Sequence, residues 1–147
     1  MKYKPYPKCD AVKNYFPRPN EIFSLGLASG EIAVYSYLLY REDRKTFQCW
    51  PSYKTIGRAV GLSRNTVRKY VSGLEERGLI RTEPTKIYTR DGRTRNGNLL
   101  YTVRPIREAV DKYNERQMQK ADEDIARWKA AKALEQSGLR GTEDEAG

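Results

Sequence analysis

The chain contains no histidine. That absence removes the commonest acid–base group near neutral pH, every His-based catalytic triad, and every zinc site that needs imidazole. Cysteine is almost as scarce. Cys9 and Cys49 are the only two, too far apart for a close-spaced metal motif and too few for a disulfide framework, which suits a reducing cytoplasm. They read as incidental thiols, and nothing near them supports a redox sensor. No segment approaches the ~20 consecutive apolar residues that span a bilayer. The basic start Met1-Lys2-Tyr3-Lys4-Pro5 is not followed by an apolar signal core. There is no Walker-type glycine loop, no nucleophile elbow, and no paired carboxylates in a buried context. The expectation is a soluble cytoplasmic protein, nucleoid-associated, that is not an enzyme and has no cofactor and no metal.

What the chain does have is positive charge. Lys and Arg number 28 against 19 acidic residues, a formal +9 over 147 residues. Hydrophobic content of 38% and charged content of 32% allow one domain with a modest core and an appended helix or tail. The charge is unevenly placed. From residue 52 to residue 104 twelve cations face only Glu75, Glu76, Glu83 and Asp91, leaving +8 in that stretch. A polyanion, most simply nucleic acid, would meet the protein there.

Residues 1–18 are rich in Lys, Tyr and Pro and read as a basic arm, packed through Tyr15 and Phe16 or tracking DNA with Lys2, Lys4 and Lys8. A short helix over 20–25 would stop at Gly26. Ser29 is the expected N-cap of a largely apolar helix, with Glu31 favouring its dipole. Residues 46–50 read as a short strand ended by Pro51. Ser52 caps a helix to about Val60, and Gly61 ends it. Ser63 caps the next, in which Val67, Val71 and Leu74 make one apolar face before Gly78. A Gly-Leu-Ser turn so short makes the two helices cross steeply. Gly57 costs ~1 kcal/mol against Ala inside a helix, which close approach of the two helices would explain. Leu79 to Thr82, continued after Pro84 by Ile87 to Thr89, and Leu99 to Val103 then read as the strands of a β-hairpin, with Asp91-Gly92 and Asn96-Gly97 as turn dipeptides and a tip over 91–98. A helix over 106–136 carries Val110, Tyr113, Met118, Ala121, Ile125, Trp128 and Leu134 as a broken apolar stripe, and residues 137–147 read as a disordered tail.

The run from Pro51-Ser52-Tyr53-Lys54-Thr55 through Gly61-Leu62-Ser63-Arg64-Asn65-Thr66-Val67-Arg68, continued by Leu74-Glu75-Glu76-Arg77-Gly78-Leu79-Ile80, closely resembles the winged helix-turn-helix superfamily. It is most similar to bacterial GntR-type regulators, and also to helix-turn-helix domains of plasmid, phage and conjugative-element replication initiators. The resemblance covers residues 29–104. It implies an α+β, mainly α fold: a three-helix core plus a β-hairpin wing over residues 19–105, with an additional C-terminal helix. It departs from the family at Gly57, where Ala is usual, and no effector-binding domain of the GntR kind follows.

The chemistry runs the same way. If Val67, Val71 and Leu74 face the core, then Arg64, Asn65, Arg68 and Lys69 point outward. Arg pairs bidentately with guanine and Asn with adenine in the major groove. Ser63 and Thr66, with the helix N-terminal amides, suit a phosphate. Lys54 and Thr55 open the preceding helix, where the family also touches DNA backbone. The hairpin offers Arg90, Arg93, Arg95 and Asn96, beside Thr94 and Asn98, to a minor groove or backbone. The expected partner is double-stranded DNA, with a homodimer through the 118–128 stripe, or that stripe packed on the protein's own body. The expected role is a sequence-specific transcriptional regulator, or alternatively a DNA-binding module for replication or maintenance of a mobile element. A protein-interaction module of the same fold is a further reading, against which the basic helix and hairpin argue.

Overall fold

The computed structural model describes residues 15–145, with side chains as far as Gly138; Lys2, Lys4, Lys8 and Cys9 lie outside the described residues. A short 3-10 helix, Asn20–Ser24, precedes α1 (Ser29–Arg41), β1 (Gln48–Cys49), α2 (Tyr53–Val60) and α3 (Arg64–Glu76). Then come β2 (Ile80–Glu83), β3 (Lys86–Tyr88), β4 (Thr94–Asn96), β5 (Leu100–Val103) and α4 (Ile106–Glu145). This is a winged helix-turn-helix with a C-terminal helix.

Two serine caps frame the centre. The Ser52 hydroxyl accepts from the Thr55 amide at 3.0 Å, and the Ser63 hydroxyl from the Thr66 amide at 3.3 Å. Such caps are each worth ~0.5–2 kcal/mol. Gly61 takes φ +74° between the two helices. At the far end of α3, Gly78 takes φ +80°; its amide donates to the Glu75 carbonyl and that of Leu79 to Leu74, both at 3.0 Å. That pairing is a Schellman motif, and it seats Leu79 in the core. α1 is capped differently from expectation. Ala28 is the N-cap residue, Ser29 is already helical, and Glu31 supplies the cap by accepting from the Ala28 amide at 3.1 Å.

The core joins Val34, Tyr35 and Leu38 of α1, Ile56 of α2, Val67, Val71 and Leu74 of α3, and Tyr101 of β5, all buried. Full burial of such aliphatic side chains contributes roughly 1.5–3 kcal/mol each. Ile22 and Leu25 close it from the N-terminal side. Before them, Phe16 packs on Tyr40 with ring centroids 5.8 Å apart, and Arg18 donates to the Ser36 hydroxyl at 2.9 Å. Tyr15 is exposed.

Gly57 is explained, but not by helix meeting helix. A Cβ there would strike the backbone carbonyl of Leu62, in the turn itself, while Val67 Cγ2 stays at an ordinary 3.6 Å. The Leu62 amide in turn donates to the Gly57 carbonyl at 2.9 Å.

β1, β5 and β2 form one antiparallel sheet in that order, with Cys49 opposite Tyr101 and Ile80 opposite Val103. β1 is shorter than the strand read over 46–50. Phe47 has φ +59°, its amide donates to the Asp43 carbonyl at 2.7 Å, and only its carbonyl joins the ladder, from Val103 at 2.9 Å. The wing also differs from expectation. β3 and β4 form a separate ladder, Lys86 opposite Asn96 and Tyr88 opposite Thr94. Asn96-Gly97 is therefore not part of the tip. It is a joint at which the Gly97 amide donates to the Thr85 carbonyl at 2.8 Å and the Thr85 hydroxyl donates to the Asn98 carbonyl. The turn itself lies around Asp91-Gly92, where the Thr89 amide donates to the Arg93 carbonyl at 2.9 Å.

α4 runs past residue 136 and through Gly138 to Glu145, into the stretch expected to be a disordered tail. One glycine costs ~1 kcal/mol in a helix, and the good helix formers Ala133, Leu134, Glu135 and Gln136 precede it. Only the first turns are anchored. Ala109 is buried, and Ile106, Val110 and Tyr113 pack against the core. From residue 114 to residue 138 every side chain is exposed.

Candidate nucleic-acid interface

α3 has two chemically distinct sides. Val67, Val71 and Leu74 are buried, and Arg64, Asn65, Arg68 and Lys69 are exposed. Position in the helix accounts for this, since the apolar residues recur at spacings of four and three and leave the others on the opposite side. α3 and α2 begin alike. Ser63 and Thr66 hydroxyls lie 2.8 Å apart, and those of Ser52 and Thr55 lie 2.9 Å apart. Each hydroxyl pair is thus partly engaged within its own helix start. The amides of Arg64 and Asn65 lie in the first turn, where a helix has no internal acceptor for them. Lys54 and Thr55 stand exposed at the start of α2, and Thr66 is half-buried.

The wing distributes its polar residues over different places. Arg90 and Arg93 lie at the turn between β3 and β4, while Arg95 and Asn96 lie on β4; all four are exposed. Successive strand residues point to opposite faces, so Arg95 and Asn96 diverge. Asn96 faces the helices. It lines a cleft with Ser52, Tyr53, Arg64 and Asn98. Arg64 also lines the adjoining hollow with Tyr53, Ser63, Asn65 and Arg68. Arg64 is therefore where the outer side of α3 meets the base of the wing. Asn98 is held there by donating from Nδ2 to the Trp50 carbonyl at 3.2 Å. The structure thus joins Ser63, Arg64, Asn65, Arg68 and Asn96 along one groove, and leaves Arg90, Arg93 and Arg95 farther out on the hairpin.

The cations of this surface are not neutralised. Among the described residues, the ion pairs join Arg77 to Glu31, Arg104 to Glu108, Arg116 to Glu76 and Arg127 to Glu123. Lys54, Arg58, Arg64, Arg68, Lys69, Arg90, Arg93 and Arg95 have no such partner there. A surface that leaves its cations unpaired on one side presents a field to a polyanion.

Tyr53, a member of the groove, and Arg58, an exposed cation beside Lys54 but outside the groove lining, were missed from sequence. Tyr53 lines both hollows; its spacing of three and four to Ile56 and Gly57 puts it at the edge of the inward face of α2. Arg58 is exposed four residues from Lys54, on the same face of α2. Cys49, by contrast, has no part in the surface. It is buried with Sγ 3.8 Å from the Leu38 carbonyl, and burial pushes its thiol up to about 11, so it carries no thiolate at neutral pH.

The family model for the helix-turn-helix domain matches residues 25–80. Over those residues the chain is similar to that family. The matched span holds α1, α2, α3 and the groove side of α3, and ends where the wing begins. No curated protein matches the chain. Among solved structures, a possible transcriptional regulator from Methanosarcina mazei is similar at 17% identity and TM-score 0.47, covering 72% of this chain and 82% of its own. The PcaV transcriptional regulator from Streptomyces coelicolor, solved with its natural ligand, is similar at 22% identity and TM-score 0.36, covering 74% of each chain. A probable transcriptional regulator from Pseudomonas aeruginosa is similar at 22% identity and TM-score 0.34, covering 68% of this chain and 76% of its own. No helix of the described residues is long and apolar enough to cross a membrane.

Proposed function

We propose that the protein is a sequence-specific double-stranded DNA-binding protein that acts as a transcriptional regulator. The observation that carries this is the unpaired basic side of α3, continuous with a basic hairpin. In this reading the helix over 63–77 enters the major groove, with Arg64, Asn65, Arg68 and Lys69 towards base edges. Lys54, Thr55, Ser63 and Thr66 lie against phosphates. Arg90, Arg93 and Arg95 reach the adjacent minor groove or backbone, and Asn96 sits at the wing base beside Arg64. The exposed stripe of α4 pairs two copies, which supports recognition of paired half-sites.

Selection of fragmented genomic DNA on the purified protein near physiological salt, followed by sequencing, tests this reading. Enrichment of one or a few inverted repeats near promoters is the expected result. An array of direct repeats at an origin would instead assign the same surface to replication or maintenance of a mobile element. Uniform recovery of all fragments would overturn sequence-specific binding.

A further inference from the structure

Away from the groove, where α4 leaves the domain, lies a cavity of about 210 Å³. Its apolar wall is Leu25, Ala109 and Tyr113, and its polar wall is Arg77, Lys112 and Arg116 with the neutral Gln117. No carboxylate lines it. Leu25 and Ala109 are buried in the core, so that wall is fixed by packing. The Tyr113 ring lies over Gly26, whose Cβ position is 3.8 Å from Cε2.

The three cations are not equally engaged. Arg77 is held from behind, donating to the Leu25 carbonyl at 3.0 Å and lying 3.3 Å from Glu31 Oε2. Arg116 is tethered loosely, at 3.4 Å to the Glu76 carbonyl and 3.8 Å to its carboxylate. Lys112 lays its stem over Gly78, with Cδ 3.5 Å from the Cβ position there, and has no carboxylate partner among the described residues.

We infer that this cavity is a binding site for a small aromatic carboxylate. The flat apolar wall takes the ring, in contact with Tyr113. The carboxylate accepts from Lys112 and Arg116, replacing the long contact of Arg116 to Glu76 with shorter charge-assisted bonds. A bare inorganic anion would satisfy the cations but leave the apolar wall wet. A neutral ring would leave Lys112 without a counter-charge and Arg116 with only its long contact to Glu76. The volume is below the ~300–1,000 Å³ of pockets that hold drug-sized ligands, which limits the ligand to roughly one ring and its acid group. The site is independent of the DNA reading, because none of its residues lies in the groove.

The test uses the full chain, benzoate as probe, and the methyl resonances of Leu25 and Ala109 as readout. Benzoate is expected to shift both saturably with a dissociation constant of about 1 mM or tighter, within the range open to so small a ligand. Benzyl alcohol and inorganic phosphate are expected to leave them unmoved at the same concentrations. Lys112→Glu is expected to weaken benzoate about tenfold or more. If that variant does not fold, Arg116→Gln serves, with the same expectation. No saturable shift by about 10 mM benzoate, an equal shift by phosphate or benzyl alcohol, or wild-type affinity in the folded variant would each overturn the assignment.

Discussion

Gly57 of α2 lies directly beneath the carbonyl of Leu62, which occupies the space a Cβ would need. The Leu62 amide reaches back to the Gly57 carbonyl at 2.9 Å, closing the turn between α2 and α3. Gly57→Ala gains ~1 kcal/mol of helix propensity. It also forces a backbone group to move, and such overpacking costs ~1–3 kcal/mol. The expected result is a net loss of stability, read as a lower urea midpoint with an unchanged slope. A midpoint raised by the substitution would mean that the turn yields freely.

Much of this region is legible from sequence, because its signals are local. Ser52 and Ser63 are caps, Gly61 and Gly78 are left-handed stops, and the Val67, Val71, Leu74 spacing marks the buried face of α3. What escapes sequence depends on partners far along the chain. Asn96-Gly97 looks like a hairpin turn, yet Thr85 and Trp50 bond the residues around it and make it a joint. Ser29 looks like a cap, yet the Glu31 carboxylate takes that role while lying against Gly73 and Arg77 of the neighbouring helix. The convergence of Tyr53, Arg64 and Asn96 needs the crossing of helix and wing, which no spacing encodes. α4 passes through Gly138 to Glu145 because one glycine costs only ~1 kcal/mol, less than a stop signal in the sequence suggests.

The carboxyl of Glu42 follows the buried side of the domain. Burial raises its pKa above the ordinary glutamate range, with Arg44 pulling weakly the other way, and its Oε2 is buried without a partner. A raised folded-state pKa means that its contribution is most favourable below the unfolded value and is lost as pH rises through the folded one. Glu42→Gln is therefore expected to raise the melting temperature at pH 7, and the gain should vanish as pH falls below about 4. Thermal melts at several pH values check this. A gain that grows on acidification would contradict the sign.

Met118, Ile125 and Trp128 stand 69%, 53% and 62% exposed on α4. Most helical stability in proteins comes from packing of an apolar face, and α4 is packed on the domain only at its first turns. If two copies pair along this stripe, the wild type runs as a dimer by light scattering. Ile125→Glu is expected to give a monomer with reduced helical signal and an intact domain. A wild-type monomer whose helical content is unchanged in Ile125→Glu would show that α4 stands without a partner.

The groove account also separates the roles of two arginines. Arg68 is exposed on the outer side of α3 and Arg93 on the wing; in the proposed reading Arg68 meets base edges, so the most direct measurement is binding to an enriched fragment and to a scrambled one, over a range of salt, for the wild type, Arg68→Ala and Arg93→Ala. The account predicts that Arg68→Ala loses ~1–3 kcal/mol on the enriched fragment and discriminates less between the two. Arg93→Ala should weaken both fragments alike and flatten the salt dependence by about one ion. Unchanged affinity and salt dependence in both variants would contradict the proposed face.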